Sequence, residues 1–269
     1  VHLRFTHPGL AGDLARELAL ALRPPYLTPL VVYGNAVLVT VAWFLLPTAV
    51  QDWLFRLHGP FAFPIALASW MLADVPATNV LATDPKRAIA AIGDPRDLLG
   101  LLYAKSLALW LFVAPLAAVA ALVVGERTGR WTTCVLTVLW VIVIPAGTLG
   151  FSSWLGIVWP YHPRPLRWRW EHRQARYRVI IRWMALVLAP YVLVPAIGMA
   201  IVAPAAVAWL IADGPSGAKQ IPDDQFALLG GITAAVAVVT FVVGHRLAVR
   251  LARRRRDPLT AYLADPERG

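Results

Sequence analysis

The chain has 269 residues, 59% of them hydrophobic and only 15% charged, with a mean hydropathy of +0.62. A soluble domain carries about 25% charged residues, so the composition argues against a water-soluble globule and for an integral membrane protein with several spans. The net charge of +10 would suit a nucleic-acid binder in a soluble protein. In a membrane protein the placement of the cations says more than their sum.

Residues 9–23, GLAGDLARELALALR, combine good helix formers with a loose amphipathic pattern. Leu10, Leu14, Leu18 and Ala21 share one face, and Asp13, Arg16 and Glu17 cluster beside it. The pattern predicts a helix lying at the membrane surface; an ordinary exposed terminal helix would carry the same signature.

Six apolar runs follow, each near the ~20 residues a bilayer requires. They cover about 30–50, 60–79, 101–124, 131–159, 183–204 and 226–246. The fifth continues to Ile211 through Pro190, Pro195 and Pro204. Proline removes a backbone donor and crowds the preceding turn. The sequence therefore predicts a span ending near Pro204 and a short separate or re-entrant helix over 205–212. The expected fold is all-α: a single polytopic transmembrane domain over 1–269, with six spans, a broken helix before the sixth and a tail over 250–269.

Between the second and third runs lies a carefully punctuated polar stretch, ATDPKRAIAAIGDPRDLL, residues 82–99. Asp84 suits a helix N-cap and Pro85 the first helical position. KRAIAAI supplies about two turns, and Gly93 ends them as a C-terminal cap would. Asp94-Pro95 repeats the start signal and launches the third span. The expected product is a short helix between stiff corners, with Lys86 and Arg87 on an exposed cationic edge and Ile89 and Ile92 on a small apolar face. A plain interfacial loop is the other reading.

Of the 25 Lys and Arg, 21 precede span one, lie between spans two and three or four and five, or follow span six. Cationic loops stay in the cytoplasm, which predicts a multi-pass cell-membrane protein with both termini and the 84–95 helix inside. Only three of those 25 are Lys, which, with abundant Ala, Val, Gly and Pro, suits a GC-rich bacterial genome.

The loop PLRWRWEHRQARYR, 165–178, interleaves Arg with aromatic rings. Single-stranded nucleic acid would use such interleaving. Its position between two spans favours lipid instead, so Arg167, Trp168, Arg169 and Trp170 read as membrane-surface anchors. A docking surface for a cytoplasmic partner is the alternative.

Catalytic signatures are sparse. GFSSWLG, 150–156, has the look of an intramembrane serine protease loop, but no Gly follows the Ser directly and His245 is expected at a span end. Asp74 is the one carboxylate near an apolar run and reads as a cytoplasmic-end residue. The chain carries no GxxxxGK[ST] phosphate loop and no Cys/His metal spacing. Cys134 reads as a small buried or lipid-facing side chain. No enzymatic activity, metal or cofactor is expected of this chain.

The run TNVLATDPKRAIAAIGDPRDLLGLLYAKSLALWLFVAPL, 78–116, resembles the corresponding segment of ABC-2 type transporter permeases, the transmembrane subunits of ABC exporters. In that family an Asn-x-(Phe/Leu)-x-x-Asp element closes span two, a short coupling helix follows, and a basic residue comes just before the start of span three. Asn79, Asp84 and Lys105 stand at those positions; Leu81-Ala82 stands where Phe-Gly is usual. The resemblance implies that Asp84, Pro85, Lys86, Arg87, Ile89, Ile92, Asp94 and Pro95 form the coupling element, received by a separate cytoplasmic ATPase that holds ATP and Mg. It also implies that two permeases pair, as a homodimer or heterodimer, around a pathway. The alternative function is a non-enzymatic membrane scaffold that docks a cytoplasmic partner through the basic 160–182 loop.

Overall fold

The computed structural model describes residues 9–24, 26–47, 59–73, 75–162, 166–171, 177–213 and 223–265, and these residues are helical throughout apart from short connections. Five helices among them are long and apolar enough to cross a membrane. Their outward faces carry large apolar side chains, including Val37, Phe44, Val119, Leu139, Val192 and Val239, all more than a third exposed. Large apolar side chains exposed along long apolar helices suit hydrocarbon better than water. The chain is a membrane protein of the all-α class.

Helix α1, Leu10–Ala21, leads through the corner Arg23-Pro24 into α2, Leu27–Leu45. Tyr26 turns that corner with a left-handed φ of 55°, an uncommon conformation for a residue with a bulky side chain. The second apolar run, expected as one span over 60–79, is broken. A 3-10 turn at Gly59–Phe61 leads into α3, Ala62–Trp70, and α4, Val75–Thr78, follows separately. Nine residues rise only about 14 Å, half of the ~30 Å hydrocarbon thickness. Pro76 fits the first turn of α4 but would interrupt a helix continuing from α3. Asp74, expected at the inner end of this run, lies outside the described residues.

Helix α5, Pro85–Ile92, and helix α6, Pro95–Thr128, are separated only by Gly93 and Asp94. Helix α6 stops at Gly129, whose φ of 68° lets its N–H reach the Gly125 carbonyl at 2.8 Å, the left-handed cap that glycine permits. One residue later α7, Trp131–Val158, returns antiparallel. Cys134 sits against Gly125 and donates its thiol proton to the Ala121 carbonyl at 3.4 Å. It closes the hairpin, in keeping with a structural role.

Helix α8, Leu166–Glu171, is a short surface piece, and α9, Tyr177–Asp213, runs unbroken for 37 residues. The expected break at Pro204 is absent: Pro190, Pro195 and Pro204 all lie within one helix. Proline is tolerated inside membrane helices because neighbouring groups meet the freed carbonyls. At about 1.5 Å per residue α9 is ~55 Å long, well beyond the hydrocarbon thickness. Helix α10, Asp223–Arg254, extends eight residues past the expected end of span six. The tail is not slack chain: α11, Arg256–Ala264, folds back and buries Leu259, Tyr262 and Leu263.

The central contact is α7 on α10. A Cβ added at Gly150 would lie 2.5 Å from the Phe241 Cα, and one at Gly244 would lie 2.5 Å from the Gly150 carbonyl carbon. Side chains are excluded there, and the backbones touch, as small residues allow between membrane helices. Gly156, farther along α7, meets the Thr78 carbonyl in the same way. This fixes α4 and the chain entering α5 against the end of α7. A separate apolar cluster then forms at that end of the bundle from Leu81, Ile92, Leu98, Leu102, Ile157, Ala248 and Leu263.

Candidate coupling site

The short helix expected at 84–95 forms with the expected punctuation. Asp84 caps α5 by accepting the Arg87 N–H at 3.4 Å, and Pro85 takes the first helical position. Such a cap is worth about 1 kcal/mol. Gly93 differs from expectation: its φ is −65°, so it supplies no left-handed turn. The stop comes from Pro95, which forces Asp94 into extended conformation, φ −121° and ψ 125°. Asp94 then caps α6 by accepting the Arg96 N–H at 2.7 Å.

The faces of α5 are not disposed as the sequence suggested. Ile92 is fully buried and Ile89 half-buried against the apolar cluster beneath, with α11 packed alongside. Arg87 turns inward toward α1, where its guanidinium pairs with Asp13 at 2.5 Å and also with Glu17. Neither Arg87 nor Ile92 therefore offers a free outer edge. Lys86 and Ala90, four residues apart, form the exposed strip of α5, and Gly93 and Asp94 are exposed in the connection beyond it. The reason is energetic: α1 presents two carboxylates that need cations, and the apolar cluster needs the two Ile side chains.

Lys105, expected just before span three, lies eleven residues into α6. Its ammonium bonds Glu17 Oε2 at 3.0 Å and the Thr83 hydroxyl at 3.1 Å. Both side chains are only 8% exposed. Buried charges of this kind gain little net stability as a pair, but removing one partner is costly. Two acids on α1 thus face one cation from α5 and one from α6, and the network ties three helices together. The i, i+4 spacing of Asp13 and Glu17 was the readable signal, since it places both on one stripe. The helix expected to lie with its acids beside the membrane surface points them at protein instead.

Asn79 is buried and pairs in both directions with the backbone of Tyr161. Its amide donates to the Tyr161 carbonyl at 2.6 Å, and its carbonyl accepts the Tyr161 N–H at 3.3 Å. Next to it, His162 is buried, stacks on Tyr262 and reaches the Tyr262 carbonyl at 2.9 Å. From the start of α11, Arg255 donates to the last carbonyls of α7, Ile157 at 3.2 Å and Val158 at 2.9 Å. A cation at a helix C-terminus satisfies orphan acceptors and the helix dipole together. Chain segments 78–84, 157–162 and 255–263 are thereby fastened into one platform under α5.

On α8, Arg167 pairs with Glu171 at 2.8 Å, with Arg167 90% exposed. Trp170 is 67% exposed and Trp168 partly buried. The Arg169 side chain, residues 163–165 and residues 172–176 lie outside the described residues.

A second polar cluster was missed. His245 is not at a helix end but inside α10, fully buried. Its Nδ1–H donates to the Phe241 carbonyl at 2.7 Å, leaving Nε2 to accept the Ser106 hydroxyl at 2.9 Å; the Ser153 hydroxyl oxygen is 3.2 Å away. Ser153 itself donates to the Leu149 carbonyl at 3.0 Å. The cluster joins α6, α7 and α10, and its groups meet each other's hydrogen-bonding needs. Among the described residues no group of His, Cys, Asp and Glu could hold a metal ion.

Compared with protein-family models, with curated proteins and with solved structures, the chain matches none.

Proposed function

We propose that this chain is the membrane-spanning permease subunit of an ATP-driven exporter, with α5 as the element that receives the stroke of a separate cytoplasmic ATPase. The carrying observation is α5 itself: a capped two-turn helix, set between the broken second run and the 34-residue α6, and clamped to α1, α6 and α11. A lever must not bend at its joints. Here the corner to α6 is two residues long, with a capping carboxylate at each helix start. Motion of α5 would pass through Asp94-Pro95 into α6 and through Arg87 into α1. The resemblance of residues 78–116 to ABC-2 permeases supplies the ATPase partner, the pairing of two permeases and the location of ATP and Mg on the partner. The cation distribution supplies a cytoplasmic location for α5 and both termini.

The test uses the exposed strip. Lys86→Glu and Ala90→Asp are made in the full chain, which is purified from cells together with any ATPase that accompanies it. The expected outcome is loss of the accompanying ATPase, or of its stimulation, with the permease still folded. Unchanged co-purification and unchanged ATPase activity in both variants would overturn the reading. The scaffold alternative is favoured by one observation, the exposed Arg167 and Trp170 on α8. It predicts the reverse pattern: sensitivity to charge reversal at Arg167 and indifference at Lys86 and Ala90.

A further inference from the structure

The ion network borders a cavity of about 410 Å³ between α1, α2, α6 and the segment entering α5, within the ~300–1,000 Å³ usual for small-molecule sites. Its lining divides by chemistry. Leu20, Val80, Ala108, Leu109 and Phe112 form an apolar wall, while Glu17, Thr83, Asp84 and Lys105 form a charged one.

The charges of the polar wall are unequally used. Asp13 and Glu17 balance Arg87 and Lys105, which leaves Asp84 as an excess negative charge. Only one of its oxygens is engaged, by the long 3.4 Å bond from its own helix. Lys105 spends two of its three N–H groups, on Glu17 and on Thr83. Thr83 directly precedes Asp84, and Lys105 and Asp84 both line this cavity, so a spare ammonium proton and a spare carboxylate oxygen border the same space. A ligand that satisfies both must carry an acceptor anion and a donor cation on one small head. Its remainder must be apolar, to cover Leu109 and Phe112. An anionic head without an amine would leave Asp84 unpaired, and a quaternary ammonium has no proton to give it.

We propose that this cavity binds a phospholipid with a zwitterionic, primary-ammonium headgroup: phosphate toward Lys105, ammonium toward Asp84, and one chain along the α6 wall. The site is independent of the transport reading, since it needs neither an ATPase nor a cargo.

The test is retention of lipid by the purified full chain in mild detergent, read by native mass spectrometry. Ethanolamine, choline and glycerol phospholipids with identical acyl chains are supplied in equal amounts. The ethanolamine lipid is expected to be retained about tenfold over the other two, the scale of one charge-assisted hydrogen bond. Asp84→Asn keeps the helix cap, because Asn caps as well as Asp, and is expected to abolish the preference. Leu20→Trp fills the apolar part of the lining one turn beyond Glu17 and is expected to lower retention of all three lipids. Equal retention of the three headgroups overturns the proposal, as does a preference that survives Asp84→Asn. Retention unchanged by Leu20→Trp would also overturn it.

Discussion

The α7–α10 seam and the α1–α5–α6 corner are held together by opposite means. At the seam, Gly150 and Gly244 bring backbone against backbone, and nothing longer than a hydrogen fits between. At the corner, long charged side chains reach across gaps, and a cavity remains beside them. Within lipid no hydrophobic force drives helix to helix, so close packing of small residues must do the work. Near the ends of the bundle ions can be used, provided each buried charge finds a partner. The seam is therefore the frame set by backbone contact, and the corner is a second clamp, set by ion pairs around a cavity.

The largest effect that would test this contrast is at the seam. Gly244→Leu and Gly150→Leu have no rotamer that avoids the facing backbone, so each is expected to cost about 3 kcal/mol or more, the upper range of overpacking. Recovery of monodisperse protein and thermal unfolding in detergent would read this. Gly100→Ala and Gly231→Ala are the controls, because open space surrounds both. They should be neutral or stabilising by up to about 1 kcal/mol, the helix-propensity difference. If the seam variants behaved like the controls, the division into frame and corner would fail.

At the corner, Lys105→Met should cost about 3 kcal/mol, since it leaves Glu17 buried with only Arg87 for company. Glu17→Gln in the same chain should restore part of that loss. A double-mutant cycle on unfolding temperature would measure the coupling, and a coupling near zero would mean the network is ornamental. Asn79→Ala comes next. It removes both hydrogen bonds to the Tyr161 backbone, with an expected loss of about 2 kcal/mol. The tryptophans around that platform, Trp154 and Trp159, allow fluorescence to follow it.

Much of this was legible in the sequence where the signal is local. The caps Asp84-Pro85 and Asp94-Pro95 fix α5 and the start of α6 because capping acts within a few residues. Trp131–Val158 is likewise set by an unbroken apolar run. The failures lie where distant partners decide. Pro204 has the signature of a break, yet α9 runs through it; the run over 60–79 has the length of one span, yet it is divided. For the second run the distant partners are visible, and they act together with Pro76: Asn79 is tied to Tyr161 and Gly156 lies against Thr78. Arg87 looked like an outward cation because its partners, Asp13 and Glu17, lie some 70 residues earlier. The Ser106–His245 contact spans 139 residues, so no spacing rule could have paired them.

The smallest expected effect separates structure from docking most cleanly. Arg167 and Glu171 form an exposed i, i+4 pair, and such pairs stabilise a helix by about 0.2–0.5 kcal/mol. Arg167→Glu should therefore leave unfolding almost unmoved. If Arg167 and Trp170 anchor the chain at a lipid surface, the Arg167→Glu variant should still insert and still support ATPase stimulation, because the spans and α5 are untouched. If they dock a partner, the variant should lose that partner while its stability stays at the wild-type value. Stability that is insensitive to Arg167 is common to both readings, so a co-purification measurement on this variant reports on docking alone. Together with Lys86→Glu on α5, it decides which of two exposed surfaces, one on a clamped lever and one on a surface helix, meets the cytoplasmic partner.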